Sequence, residues 1–342
     1  MDQKSLSKQD DLHRPRIGVD LLGCEISGED LLKALIDSHF EGQHPPKFSF
    51  FATQNIFDSV VVPEDMTLVT VTDEIDAQED PMRAVRRKKD SSIHVGLQML
   101  KTHDLDAFIS AGNTGVLLAN AKIQLPMLPG IDRPALITLI PTKKEPVAVL
   151  DVGANVEASA ETLLQFAQMG IAYQKTRGID NPCAGLLNIG EEKQKGGPKL
   201  RKAYEFLQKL NENTPLKSPA FIGNIEGRDV FHGNIDVLVT DGFTGNVFLK
   251  TAEGIAGFVL DQMHDLGPIA SLPGLKSLLN SVSHRLHYAE HPGALLCGVD
   301  GIVIKCHGAS TPESFINSIK GASRLVKNFF IQHLKTQLNL PM

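Results

Sequence analysis

The chain has 342 residues, of which 42% are apolar and 22% charged, with a formal net charge of −6 at pH 7. That balance argues against a nucleic-acid partner, which calls for a basic excess, while the apolar share suits one large packed domain or two coupled ones. Cys24, Cys183, Cys297 and Cys306 form no CxxC pair, which argues against a zinc ribbon or a disulfide scaffold and fits a reduced, cytoplasmic compartment.

Residues 1–15 are polar and read as a flexible arm with no secretory signal. Short runs rich in Val, Ile and Leu then predict strands over 16–21, 47–52, 66–71, 106–110, 134–140, 146–150, 183–188, 220–225, 235–240 and 301–305. Most lack apolar/polar alternation, as strands covered on both faces do. Between them, helical patterns cover 28–39, 91–103, 115–125, 159–175, 198–211, 246–264, 274–288 and 312–335. This alternation predicts an α/β fold with an open, largely parallel sheet. The domain is expected over 16–335, with a possible seam near 130–150. No run of eighteen apolar residues occurs, so no segment is expected to span a bilayer.

The segments after the strands carry most of the information. Ser110-Ala111-Gly112-Asn113-Thr114-Gly115 follows one, and Asp151-Val152-Gly153-Ala154-Asn155 another. Then come Asn188-Ile189-Gly190-Glu191-Glu192, Asn224 to Asp229, Asp241-Gly242-Phe243-Thr244-Gly245-Asn246, and His307-Gly308-Ala309-Ser310. In a parallel sheet such loops gather at the carboxyl edge, where α/β proteins bind ligands. Glycine lets backbone N–H groups turn toward a ligand, and a following helix offers its positive end, which suits phosphate. Each loop taken singly is also ordinary turn punctuation. The GxGxxG, GxxxxGK[ST], GxSxG and HExxH patterns are all absent, so the common dinucleotide, P-loop, nucleophile-elbow and zinc-protease signatures are missing.

Several segments match a known family. RRKKDSSIHVGL (86–97), DAFISAGNTGVLLA (106–119), LPGIDRPALITLIPT (128–142), LDVGANVE (150–157), LLNIGEEKQKG (186–196), the stretch 221–254 and GVDGIVIKCHGAS (298–310) resemble the phosphate acyltransferases of bacterial phospholipid synthesis, the PlsX family. The resemblance implies transfer of a long-chain acyl group from acyl carrier protein to inorganic phosphate, giving acyl phosphate. It also implies an open α/β/α fold of the isopropylmalate dehydrogenase type with a protruding helical hairpin, a homodimer, and neither metal nor organic cofactor. Where the family carries a DAMGGD-like turn, this chain has Asp20-Leu21-Leu22-Gly23-Cys24-Glu25. Where it reads like YGGAPLLG, this chain has His291-Pro292-Gly293-Ala294-Leu295-Leu296-Cys297-Gly298.

Phosphate is itself a fair nucleophile, so the tasks are to hold it, align it with a thioester carbonyl and stabilise the oxyanion. Ser110, Gly112, Asn113, Thr114 and Gly115 are expected at the phosphate site. Asn155, Asn188, Asn224 and Asn246 are candidate neutral donors, with Asn188 and Asn224 placed closest to the chemistry. Lys195 matches the lysine of the family's GEExxKG motif and would neutralise phosphate or oxyanion, though it also reads as a solvated lysine beside a helix start. Asp151, Glu226 and Asp241 are expected to orient these groups, though a cap or turn role is equally open to them, and Gly242 is expected among the substrate-binding residues. His307, expected at the substrate site, is open to a general-acid role toward the leaving thiol, but a structural or hydrogen-bonding role is favoured, since a pantetheine thiolate leaves without much acid help.

Arg83, Arg86, Arg87, Lys88 and Lys89 form a basic run that either steers an acidic carrier protein or is a solvated helix entry. Leu275, Leu278, Leu279, Val282 and Leu286 share one helical face in 262–290, which suits a core or dimer helix as well as a hairpin tip resting on a bilayer. The resemblance favours the membrane, with peripheral association at its inner face and hand-over of the product to a glycerol-phosphate acyltransferase. Three rivals stand beside this function: a short-chain phosphotransacylase using coenzyme A, a hydroxyacid dehydrogenase, and a membrane-docked scaffold for lipid synthesis.

Overall fold

A computed structural model describes residues 14–38, 40, 45–213, 219–264 and 293–339. They divide into two compact units, one built from Met1–Pro126 and Val299–Ile331, the other from Met127–Gly298 and Gln332–Met342. The divisions thus fall after Pro126, Gly298 and Ile331, whereas the sequence suggested a seam near 130–150.

The first unit holds β1 (Arg16–Asp20), α1 (Gly28–Asp37), β2 (Lys47–Ala52), α2 (Gln54–Asp58), β3 (Thr67–Thr70), α3 (Pro81–Arg87), α4 (Ser92–Lys101), β4 (Ala107–Ser110) and α5 (Thr114–Gln124). Its strands run in the order β3-β2-β1-β4, and the strand Ile302–Lys305 closes the row beside β4. Every pairing among these five is parallel. Ile17, Val19, Phe50, Phe51 and Phe108 are fully buried, as strands with helices over both faces require. Ser27, Ser91 and Asn113 cap α1, α4 and α5 by accepting a main-chain N–H three residues on, which satisfies donors the first helical turn would otherwise leave unpaired.

The second unit contains β5 (Ala135–Ile140), β6 (Val147–Leu150), α6 (Ala160–Thr176), β7 (Ala184–Leu187), α7 (Pro198–Gln208), β8 (Phe221–Ile225), β9 (Val237–Val239), α8 (Gly242–His264) and β10 (Ala294–Cys297). Its strand order is β10-β5-β6-β9-β7-β8. The pairings β6–β9, β9–β7 and β7–β8 are parallel, and β5 runs antiparallel to both its neighbours. Val147 to Leu150 and Val237 to Val239 are completely buried, as is Phe166 of α6. With β11 (Ile302–Lys305), α9 (Pro312–Lys327) and α10 (Phe330–Asn339) the strands and helices make an α/β protein whose sheet is largely parallel.

All ten predicted strands are present within a residue or two at each end. The helix expected over 312–335 is two, separated at Phe329, whose φ of 50° lies outside helical backbone. Residues 265–292 lie outside the described residues, and with them Leu275, Leu278, Leu279, Val282, Leu286 and the helix expected over 274–288. Of the hairpin expected over 262–290, residues 262–264 belong to α8. No helix among the described residues is long and apolar enough to cross a membrane.

Candidate functional site

In the first unit, parallel pairing of β1, β4 and β11 brings their carboxyl ends to one edge. Asp20 ends β1 and is buried. Its Oδ2 accepts the hydroxyl of Ser110 at 2.7 Å, and its Oδ1 accepts the N–H of Leu22 at 3.0 Å. Ser110 in turn accepts the N–H of Gly112 at 3.0 Å. Gly23 (φ +74°) lies so close that a Cβ there would sit 2.6 Å from the Cα of Gly112, so a larger residue would push the two turns apart. Lys305, at the end of β11, donates to the carbonyls of Ala111 and Cys306. Burial raises the Asp20 carboxyl to about 6 despite the hydroxyls of Ser110 and Ser92, the Leu22 N–H and the Lys305 charge.

The turn that departs from the family pattern is anchored to the next loop. The Cys24 thiol faces the carbonyls of Gly308 and Ser310 at 3.2 and 3.5 Å, and the Glu25 N–H donates to Gly308 at 2.8 Å. Asn113 works in two directions. Its Oδ1 accepts the N–H of Val116, and its Nδ2 faces the carbonyls of Asp76, Ala77 and Glu79. Thr114 and Gly115 open α5, and a Cβ on Gly115 would meet Pro81 at 2.5 Å. The segment leading into α3 is therefore tied to the loop after β4. His307 accepts the N–H of Ala309 through Nδ1 at 3.1 Å and is exposed.

In the second unit, β6, β9, β7 and β8 bring four loops to one edge. Asp151 is fully buried. Its two oxygens accept the N–H groups of Leu136, Gly153, Ala154 and Asn155 and the side-chain amide of Asn155, between 2.6 and 3.1 Å. Burial still leaves its carboxyl above the usual range, with these donors pulling the other way. Asn155 Nδ2 also donates to Pro134, and Asn246 Nδ2 donates to the carbonyl of Val152 at 3.0 Å. Gly242 donates its N–H to Asn155 at 2.8 Å. At Gly245 a Cβ would fall 1.9 Å from the carbonyl oxygen of Asp151, which only glycine escapes.

The loop after β7 is held from beneath. Asn188 Nδ2 donates to the carbonyl of Lys195 at 3.2 Å, and Asn224 Nδ2 to that of Glu192 at 2.9 Å. Both asparagines are buried, and Asn224 Oδ1 has no partner. Lys195 is half-exposed, with Glu192 at 3.8 Å. Gly196 and Gly197 then lead into α7, whose amino end has no side-chain cap. Lys199, in its first turn, reaches Asp241 at 3.0 Å. The Asp241 carboxyl lies below its usual range: burial opposes this, but Thr244 and Lys199 outweigh it. Glu226 pairs with Arg228 at 3.2 Å.

The first unit thus carries Ser110, Gly112, Asn113, Thr114 and Gly115 on the loop after β4, beside the segment of His307, and the second places Asp151, Asn155, Asn188, Lys195, Asn224, Glu226, Asp241, Gly242 and Asn246 on loops at one edge of its strands, with hydrogen bonds joining the loops of Asp151, Asn155, Gly242 and Asn246. The amide nitrogens of Asn155, Asn188, Asn224 and Asn246 each bond a loop carbonyl, so in this conformation they shape the loops. Asp20, met in the sequence only as the start of the turn 20–25, and Lys199 were not among the expected site residues; their partners, Ser110 and Asp241, are 90 and 42 residues away. In the basic run, Lys88 bonds Glu79 and the carbonyl of Glu74, while Arg83, Arg86, Arg87 and Lys89 are exposed on and just after α3.

In fold, the chain is similar to a phosphotransacetylase from Streptococcus pyogenes, with a TM-score of 0.60 at 17% identity over 96% of this chain and 100% of that one. It is also similar to a 4-hydroxythreonine-4-phosphate dehydrogenase from Klebsiella pneumoniae, with a TM-score of 0.55 at 11% identity over 92% and 98%. In sequence, it is 37% identical to a phosphate acyltransferase of Thermoanaerobacter pseudethanolicus over 94% of this chain and 97% of the relative. The phosphate acyltransferase of Desulfitobacterium hafniense is 39% identical over the same shares. Residues 15–333 match the family described as fatty acid synthesis protein, and with relatives this similar over nearly its whole length the chain belongs to that family, the phosphate acyltransferases.

Proposed function

We propose that the protein transfers a long-chain acyl group from acyl carrier protein to inorganic phosphate by direct attack of phosphate on the thioester. A phosphate oxygen bonds to the carbonyl carbon, the carbon–sulfur bond breaks, and the phosphate proton ends on the released carrier thiol. No covalent acyl-enzyme is required. The observation that carries this is the loop Asn188–Gly197, where two buried asparagines fix a turn that presents Lys195 at the uncapped amino end of α7. A lysine beside the positive end of a helix stabilises an oxyanion or a phosphate without further machinery. The Ser110–Gly115 loop, at the amino end of α5, is the proposed phosphate loop.

Acyl carrier protein as the donor is supported by the exposed Arg83, Arg86, Arg87 and Lys89, a local cationic patch on a chain of net charge −6. Acidic partners are steered by such patches. Reversing Arg83, Arg86 and Arg87 to Glu raises the Michaelis constant for acyl carrier protein and leaves that for phosphate in place; an equal value for the carrier removes the patch from the docking surface. A homodimer would cover Phe243, Val247, Ile255 and Phe258, which α8 exposes by half or more and which otherwise face water. Peripheral membrane association and delivery to a glycerol-phosphate acyltransferase rest on the sequence of 262–290, and flotation of Leu278→Glu/Leu279→Glu against wild type on anionic liposomes tests them.

The reaction is tested by offering palmitoyl carrier protein or acetyl-CoA with phosphate. Acyl phosphate from the carrier substrate supports the assignment, and faster turnover of acetyl-CoA replaces it with a short-chain phosphotransacylase.

A further inference from the structure

We infer that Val156, Ile189 and Phe243 form the rest on which the donor's acyl chain lies, and that they set the preference for chain length. The inference rests on reading the Lys195 turn as the reaction site. All three residues belong to the second unit. They stand on the segments that follow β6, β7 and β9, and these strands are neighbours in the order β6-β9-β7. Each leaves an apolar side chain in water: Val156 is 70% exposed, Ile189 81% and Phe243 64%. One exposed apolar residue is ordinary on any surface. One on each of three adjoining segments, at the edge that carries Lys195, makes a row that gains by being covered.

Hydrogen bonds pin the main chain at each position. The N–H of Ile189 donates to Asn188 Oδ1 at 2.8 Å. Asn155, just before Val156, donates its N–H to Asp151 at 2.6 Å. Its carbonyl accepts the N–H of Gly242, just before Phe243, at 2.8 Å, which sets Val156 and Phe243 on adjoining turns. Thr244, just after Phe243, donates its N–H to Asp241 at 3.0 Å. In the β7–β9 pairing Leu186 stands beside Val239, and the same register continued brings Asn188 level with Asp241. Neighbouring strands lie about 4.8 Å apart, so the row from the β6 loop to the β7 loop runs about 10 Å. That is far longer than an acetyl group and short enough for a long acyl chain to cover. The reaction of this family needs an acyl donor, and neither phosphate nor a polar carrier arm gains from apolar contact as the chain does. Ile189 begins the turn that Lys195 ends, so a chain whose carbonyl meets Lys195 has the row within reach. Phe243 also belongs to the α8 surface that a dimer would cover. The test therefore falls on Val156 and Ile189, which lie outside α8.

Two arms use the intact protein. In the first, a fluorescent long-chain fatty acid is titrated without phosphate or carrier, and binding is followed by anisotropy. Val156→Ser/Ile189→Ser binds it on the order of tenfold more weakly than wild type, while Ile189→Leu binds it as wild type does. In the second, acyl phosphate is trapped as the hydroxamate from butyryl, octanoyl and palmitoyl donors. For wild type kcat/KM rises with chain length through KM. In the double variant that rise flattens, with kcat for the palmitoyl donor retained. No binding of the fatty acid by wild type, or unchanged binding in the double variant, overturns the row. A loss of kcat/KM that is equal for butyryl and palmitoyl donors overturns it as well. Sedimentation velocity runs alongside, and a double variant smaller than wild type makes these residues dimer contacts and overturns the row too. Absence of acyl phosphate from every donor is read separately, as failure of the reaction assignment, because the fatty-acid arm needs no turnover.

Discussion

Asn188 donates its side-chain amide to the main-chain carbonyl of Lys195 at 3.2 Å, and its Oδ1 accepts the N–H of Ile189 at 2.8 Å. One buried residue at the end of β7 thereby fixes both ends of the turn that carries the lysine. Asn188→Asp keeps the acceptor and turns the donor into a second oxygen facing the Lys195 carbonyl. Loss of one buried hydrogen bond with a repulsive contact in its place costs about 1–3 kcal/mol. The expected outcome is a turnover number reduced by a factor of ten or more with the melting temperature lowered by a few degrees. Unchanged turnover would show that the turn does not need this brace.

Lys195 is half-exposed, and its nearest carboxylate, Glu192, stands 3.8 Å away, so its removal leaves no buried charge unpaired. Lys195→Ala is therefore expected to retain the fold while losing about 10²–10³ in acyl phosphate formation, the range seen when one donor to a developing oxyanion is deleted. Lys195→Arg should recover part of the rate, because charge is kept while position changes. Steady-state rates with melting curves for both variants check this.

Asp151 organises its loop through five donors. In Asp151→Asn one oxygen becomes an NH₂ group pointing at N–H donors, which strands at least one of them in the interior. The expected loss is about 2–4 kcal/mol of stability. Gly245→Ala is expected to be destabilising as well, since its Cβ would meet the Asp151 carbonyl oxygen at 1.9 Å. Urea denaturation of the two variants is the measurement. Wild-type midpoints would contradict the account of this loop.

The Asp20 carboxyl, raised by burial from the ordinary 3.8 to about 6, makes stability depend on pH in a definite direction. Between those values the folded state holds a proton that the unfolded state has lost. Stability from this group is therefore full below about pH 4, declines as pH rises toward 6, and is flat above. The decline is about 3 kcal/mol. Asp20→Asn should remove it, so the gap in melting temperature between variant and wild type changes in the variant's favour from pH 4.5 to pH 7.5. A constant gap across that range would contradict the shift.

Much of the framework is legible in the sequence because buried parallel strands are short, apolar and rich in β-branched residues, as in Val147-Ala-Val-Leu150 and Val237-Leu-Val239. β10 was not anticipated, because Ala294-Leu-Leu-Cys297 lacks β-branching and reads equally as helix. α2 and α3 are too short to show a helical period. The start of α8 at Gly242 was hidden because Asp241-Gly-Phe-Thr-Gly-Asn246 has the composition of a turn. At the site, residue type and position after a strand placed these loops at the carboxyl ends of the strands, but did not show what each side chain holds. Asn155, Asn188, Asn224 and Asn246 look like ligand donors in sequence, and the structure engages their amides with loop carbonyls. Asp20 and Lys199 gain their partners only through strand adjacency, which no local window contains.

The central claim is that phosphate itself takes the acyl group from the carrier thioester. Its most direct measurement follows palmitoyl carrier protein with and without phosphate, counting free carrier thiol and trapping acyl phosphate as the hydroxamate. Thiol release that requires phosphate and matches hydroxamate one for one is the expected result, with both falling together in Lys195→Ala. Thiol released at the same rate without phosphate, or without matching acyl phosphate, would contradict it.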